Sequence, residues 1–128
     1  MLVAFGCGAL VFLALDALWL GAMGSRLYRP AIGHLMRESF DLVAAAAFYV
    51  IYFAGMVGFA VLPSARPRGA ALRGAFFGLV AYATYDLTNQ ATLQGWSWRV
   101  TVADLAWGMC ATATACAAAR GAASALRR

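Results

Sequence analysis

Asp16, Asp86 and Asp104 each lie inside a run of residues otherwise too apolar to hold a charge, and carboxyls in such places hold and pass protons or grip a polar group. Behind the apolar run Ala75 to Ala83 stands "YDLTNQATLQGW", residues 85–96, which brings Asp86, Thr88, Asn89 and Gln90 together. An Asp at the centre of a membrane helix costs about 2.5–3.5 kcal/mol on insertion scales, so three facing lipid would cost several times that. Turned inward they can titrate as a coupled set, hydrogen-bond to Tyr82, Tyr85, Asn89 and Gln90, or pair with Arg99. The residue types therefore predict an inward-facing polar pocket. The bland alternative is that the same side chains are interhelical glue, worth roughly 0.6–2 kcal/mol each. The number of acids favours a site, because glue rarely needs three carboxylates.

Other chemistry is weakly signalled. Cys7, Cys110 and Cys116 are odd in number, fall in apolar runs and show no metal-ligand or redox spacing, so they read as small packing residues. His34 stands alone in a polar stretch and reads as a neighbour of lipid headgroups. No metal site is indicated, and without Cys or His nearby the pocket could take only a hard cation through oxygens. The absence of a Ser/His/Cys nucleophile set argues against acyl transfer, nothing resembles a haem or flavin site, and no cofactor is indicated.

The elements that must position these acids are membrane helices. Of 128 residues 64% are hydrophobic and 12% charged, against roughly 25% charged in an ordinary soluble domain, and the mean hydropathy is +0.75. At about 20 residues per crossing the chain fits four spans, at about 2–23, 40–62, 70–93 and 100–119, forming one integral membrane domain over residues 1–128. The first run lacks the basic start of a signal peptide and reads as a retained span. The fold class is all-α: a four-helix transmembrane bundle, with residues 24–39 as a short amphipathic interfacial segment between helices 1 and 2. Leu27, Tyr28, Ile32, Leu35 and Met36 would hold that segment to the surface, where it could roof what lies beneath.

All ten basic residues are Arg, and they lie outside the apolar runs. They read as topology signals and headgroup contacts rather than a nucleic-acid face. Arg66, Arg68, Arg73, Arg120, Arg127 and Arg128 fall on one side, and Arg26, Arg29, Arg37 and Arg99 on the other. This bias favours both termini in the cytoplasm of a bacterial inner membrane. Trp19, Trp96, Trp98 and Tyr28 then form an aromatic belt at the outer interface.

Counting about 1.5 Å per residue from the cytoplasmic ends, Asp16 lies about 20 Å up the first helix, Asp86 roughly 20 Å up the third and Asp104 about 24 Å up the fourth. Asp41 begins the second. Every acid, Glu38 included, is thus in the outer part of the bundle. Spacings of three and four put Tyr82, Asp86, Asn89, Gln90 and Leu93 on one face. The second span shows the stripe Asp41, Ala45, Phe48, Tyr49, Tyr52, Met56. Asp104 shares a face with Trp107, Gly108 and Ala111, and Asp16 with Phe12, Trp19 and Leu20. The candidate acids are Asp86, Asp104 and Asp16, and the candidate ligand-binding residues are Tyr82, Tyr85, Asn89, Gln90, Trp19, Trp107, Tyr49 and Tyr52. The echo of "DALW" at Asp16–Trp19 in "DLAW" at Asp104–Trp107 hints at related halves. Gly55 with Gly58, Gly74 with Gly78, and "ATATACAAARGAASA" offer small faces for close helix approach.

The stretches "FLALDALWLG", "FYVIYFAGMVGFAVLP" and "GLVAYATYDLTNQATLQGWSWRVTVADLAWG" resemble a family of small bacterial integral membrane proteins catalogued as a domain of unknown function. The resemblance implies a four-span inner-membrane protein and no activity. The family pattern carries over at Asp16, Trp19, Tyr85, Asp86, Thr88, Asn89, Gly95, Trp96, Asp104 and Trp107. It departs at Gly95-Trp96-Ser97, where the family often has Gly-Trp-Pro.

Three functions fit these residues. The first is an intramembrane site that binds or modifies an amphipathic, lipid-like molecule (a lipid, quinone or isoprenoid), with Asp86 and Asp104 as acid/base or headgroup contacts and Trp19 and Trp107 as an apolar wall. The second is an accessory or structural subunit of a larger membrane complex. The third is a proton-coupled small transporter working as a homo-oligomer, a dimer. Against the third, the acids sit off the midplane where transport sites usually lie.

Overall fold

The computed structural model describes residues 1–126, so the sixth-counted side of the charge bias rests in part on Arg127 and Arg128, which lie outside the described residues. Four helices carry the fold. The first, α1 (Leu2–Met23), runs on through a π-helical turn at Gly24–Tyr28, one α turn at Arg29–Ile32 and a 3-10 turn at Gly33–Leu35. Pro30 has no N–H to return to the turn before it, and the helical register loosens there. The interfacial segment is therefore a continuation of α1, and it folds over the bundle with Leu27 and Ile32 buried against Val100.

Local chemistry sets the other ends. Asp41 caps α2 (Leu42–Met56) by accepting the Ala44 N–H at 3.0 Å. A second π-helical turn, Val57–Val61, extends α2 to Pro63. Arg66 is extended, as the residue before a proline must be, and Pro67 opens α3 (Pro67–Thr92). The α3–α4 turn uses Gly95 at φ 77°. Ser97 then caps α4 (Trp98–Ala125) by accepting the Arg99 N–H at 3.2 Å. Serine thus starts a helix at the position where the resemblance led one to expect proline.

The stretches Leu2–Leu35, Leu42–Val61 and Trp98–Ala125 are long and apolar enough to cross a membrane. Helix α3 is long enough but less apolar, because Arg68 and Arg73 lie near one end and Asp86, Asn89 and Gln90 near the other. It compensates by packing along α4 more extensively than any other pair of helices in the bundle. The approach is close because small residues face each other. A Cβ placed on Gly74 would stand 2.7 Å from Cys116 Sγ, and one on Gly78 would strike the Gly108 backbone. Helix α2 meets α3 through its Val57–Val61 end, while its Leu42–Met56 part leans on α1. Arg120 Nη2 donates to the Ala65 carbonyl at 3.3 Å and ties the α2–α3 turn to α4.

Two unlike ends result. Ala4, Gly8, Ala60, Ala70, Gly74, Ala115, Cys116 and Ala119 fill the end that holds the termini. The end under the α1 extension holds Asp16, Asp86 and Asp104, all buried.

Candidate functional site

The three carboxyls arrive from α1, α3 and α4, and the side chains that hold them differ from those the spacing suggested. Tyr49 donates its hydroxyl to Asp16 Oδ2 at 2.6 Å, and Trp107 Nε1 donates to Asp16 Oδ1 at 3.3 Å. Tyr28, expected in the interfacial belt, instead reaches down from the α1 extension and donates to Asp104 Oδ1. Its oxygen accepts Trp19 Nε1 at 2.8 Å. The two D-x-x-W echoes thus interlock. Trp107 serves the acid of the first motif directly, Trp19 serves the acid of the second through Tyr28, and the indoles stack at 4.6 Å and 8°.

Asp86 is different in kind. It is 0% exposed. Both its oxygens are without a hydrogen-bond partner, and its charged neighbour is the Asp104 carboxyl. A buried carboxyl without a partner is costly to keep, which sets Asp86 apart from Asp16 and Asp104.

Beside these acids is a cavity of about 690 Å³, inside the range of roughly 300–1,000 Å³ common for small-molecule sites. Asp16, Tyr52, Tyr82, Tyr85, Asp104 and Trp107 line it, with Leu20, Phe48, Ala81, Trp96 and Val100 as apolar wall. Tyr28, Arg29, Ile32, Met36 and Phe40 close it from above. Among the residues singled out by spacing, Asp86 stands behind Asp104 rather than on the wall, and Trp19, Tyr49, Asn89 and Gln90 are also off it. Gln90 accepts from Thr101 at 3.0 Å and donates to the Trp96 carbonyl at 3.4 Å, fixing the α3–α4 turn. Tyr52 shares a 2.7 Å hydrogen bond with Thr112. Arg99 makes no ion pair with the buried acids; among the described residues the one ion pair is Arg37–Asp41, at 4.0 Å and exposed. No cluster among the described residues has the makings of a metal site.

Tyr28 and Arg29 are the site residues that spacing did not find. A break in apolar character after Met23 looked like the end of a helix, whereas the backbone stays helical to Leu35 and carries both residues over the acids.

Neither a curated protein nor a solved structure matches the chain. Residues 1–121 do match a family, described as "Predicted membrane protein (DUF2177)", and that match agrees with the apolar helices just described. The chain belongs to this membrane protein family, whose function is unknown.

Proposed function

We propose that the chain binds, and in its cell modifies or presents, an amphipathic lipid-like molecule in the cavity beneath the α1 extension. The observation that carries this reading is the cavity itself: about 690 Å³, lined by two carboxyls and four tyrosines among apolar side chains. A bundle that used its acids only to hold helices together would gain by closing over them, since voids forfeit packing contacts. Here the outer half of α2 stands away from α3. Phe48 is 47% exposed and Tyr85 58% exposed on the two sides of the gap. A gap between two membrane helices faces acyl chains, which gives an amphipathic molecule a sideways route from the bilayer. The reading includes placement in a bacterial inner membrane with both termini cytoplasmic and the roofed end outward, as the Arg distribution favours.

The test is native mass spectrometry of the protein extracted from its own membrane in polymer-bounded discs. The wild type is expected to carry a bound amphipathic mass, and Ala81→Trp, which fills the cavity, is expected to lose it. A ligand-free wild type, or an Ala81→Trp variant that keeps the same mass, defeats the reading.

A further inference from the structure

We infer that the occupant of this cavity carries an anionic oxygen headgroup, held by the Arg29 guanidinium with its apolar chain running down toward Phe48 and Ala81. The inference rests on the cavity being a binding site, and adds the charge and direction of what it binds.

The polar side chains on the wall divide into those with a hydrogen-bond partner and those without one. Asp16 has both oxygens engaged, by Tyr49 and Trp107. Asp104 accepts from Tyr28 through Oδ1. Tyr28 has given its one proton to Asp104 and accepts from Trp19. Tyr52 is bonded to Thr112, and Trp96 Nε1 donates to Thr101 at 3.0 Å. Three polar groups on the wall remain without such a partner: the Tyr82 hydroxyl, the Tyr85 hydroxyl and the Arg29 guanidinium. Both acids on the wall thus already hold a donor from the bundle, and the open groups are two hydroxyls and a guanidinium, all of which can donate.

Arg29 is the charged member of that set. No carboxylate among the described residues lies within ion-pair distance of it, while Arg37, eight residues on, has Asp41. A guanidinium presents five N–H donors in a fixed fork that suits carboxylate and phosphate oxygens. Its position in the roof also settles direction. The α1 extension follows the 22 residues of α1, by themselves enough to cross a bilayer, so a headgroup at Arg29 stays near water while its chain follows the apolar wall inward. A cationic amphiphile would instead have to bring its charge past Arg29 to acids that are already hydrogen-bonded. Carboxylate and phosphate headgroups share the required chemistry, and the experiment separates them.

Purified full-length protein in discs of a zwitterionic lipid is titrated with dodecyl phosphate, dodecanoate, dodecanol and dodecylamine, with intrinsic tryptophan fluorescence as readout. The expected order puts one or both anions ahead of dodecanol by about ten- to a hundredfold, the range for charge-assisted hydrogen bonds, with dodecylamine weakest. The stronger of the two anions identifies the headgroup. Arg29→Gln is expected to bring the anions level with dodecanol, and Arg29→Lys to recover part of the difference. Arg29 is exposed, so neither change threatens the fold. Equal binding of anion, alcohol and amine, or an Arg29→Gln variant that keeps its preference, overturns the headgroup inference while leaving the cavity reading intact. Failure of all four probes to bind overturns both.

Discussion

The two ends of this bundle solve the problem of helix association in opposite ways. At the end that holds the termini, glycines and alanines let α3 and α4 approach until Gly78 faces the Gly108 backbone. In lipid there is little hydrophobic drive between helices, and such close contact supplies dispersion energy instead. At the roofed end the helices are held apart by Asp, Tyr and Trp side chains that meet through hydrogen bonds, and a cavity remains between them. The difference teaches that the small-residue end acts as a fixed base, against which the other end can stay open without the bundle falling apart.

The comparison breaks most completely at Gly78. Gly78→Leu drives a side chain into the Gly108 backbone and Thr112, neither of which can move aside without separating α3 from α4. A loss of more than about 3 kcal/mol is expected, as for overpacking or backbone displacement at a core contact. Size-exclusion chromatography in detergent should show aggregate in place of a single folded peak. A normal thermal transition in this variant would mean that the base is not what holds the bundle.

The next largest effect is at Asp86, at the roofed end. Asp86→Ala leaves a void where a fully buried side chain stood, for a loss of about 1–3 kcal/mol. Asp86→Asn can donate its amide to Asp104 and is expected to stay within about 1 kcal/mol of wild type. Thermal unfolding followed by circular dichroism separates the two. Equal transitions would mean that the roofed end closes over the space Asp86 fills.

These contrasts also show why some of the fold was legible in the sequence. The spans could be read because apolar runs ended at Pro63 and at the Gly95 turn, and the three acids could be placed at one end by counting along helices. The small-residue approach at Gly74 and Gly78 was visible in the spacing. Partner choice was not. Spacing on one helix ranks faces, but Tyr28 reaches Asp104 across 76 residues of chain, and only the continued helix past Met23 makes that possible. Asn89 and Gln90 looked like partners for Asp86 because they share its face. The spacing could not tell that Gln90 lies a turn further along and meets Thr101 instead.

A smaller effect is expected at Tyr49, whose hydroxyl on Asp16 is the one side-chain hydrogen bond between the Leu42–Met56 part of α2 and α1. Tyr49→Phe keeps the ring stacked near Phe53, at 5.7 Å, and removes only that bond. The cost should be about 1–2 kcal/mol, and it should be local. Hydrogen exchange is expected to quicken over residues 42–52 and stay unchanged over Val57–Val61, where α2 packs on α3. Uniform quickening along α2 would show that the two ends are one cooperative unit.

The smallest effect sharpens the comparison most, because it pits two phenylalanines on one helix against each other. Phe48 is on the cavity wall and 47% exposed, whereas Phe53 is 4% exposed and sits edge-on to Phe12 at 5.7 Å. Truncating Phe53 to alanine opens a void among packed rings and should cost about 3 kcal/mol. Phe48→Ala removes a side chain that the bundle barely uses, so stability should change by less than about 0.5 kcal/mol. If the roofed end is open because something else fills it, Phe48→Ala should still weaken binding of an amphiphile measured by tryptophan fluorescence. A variant as stable as wild type that also binds as well would mean that Phe48 serves neither the fold nor the cavity, and would assign that stretch of α2 to the lipid alone.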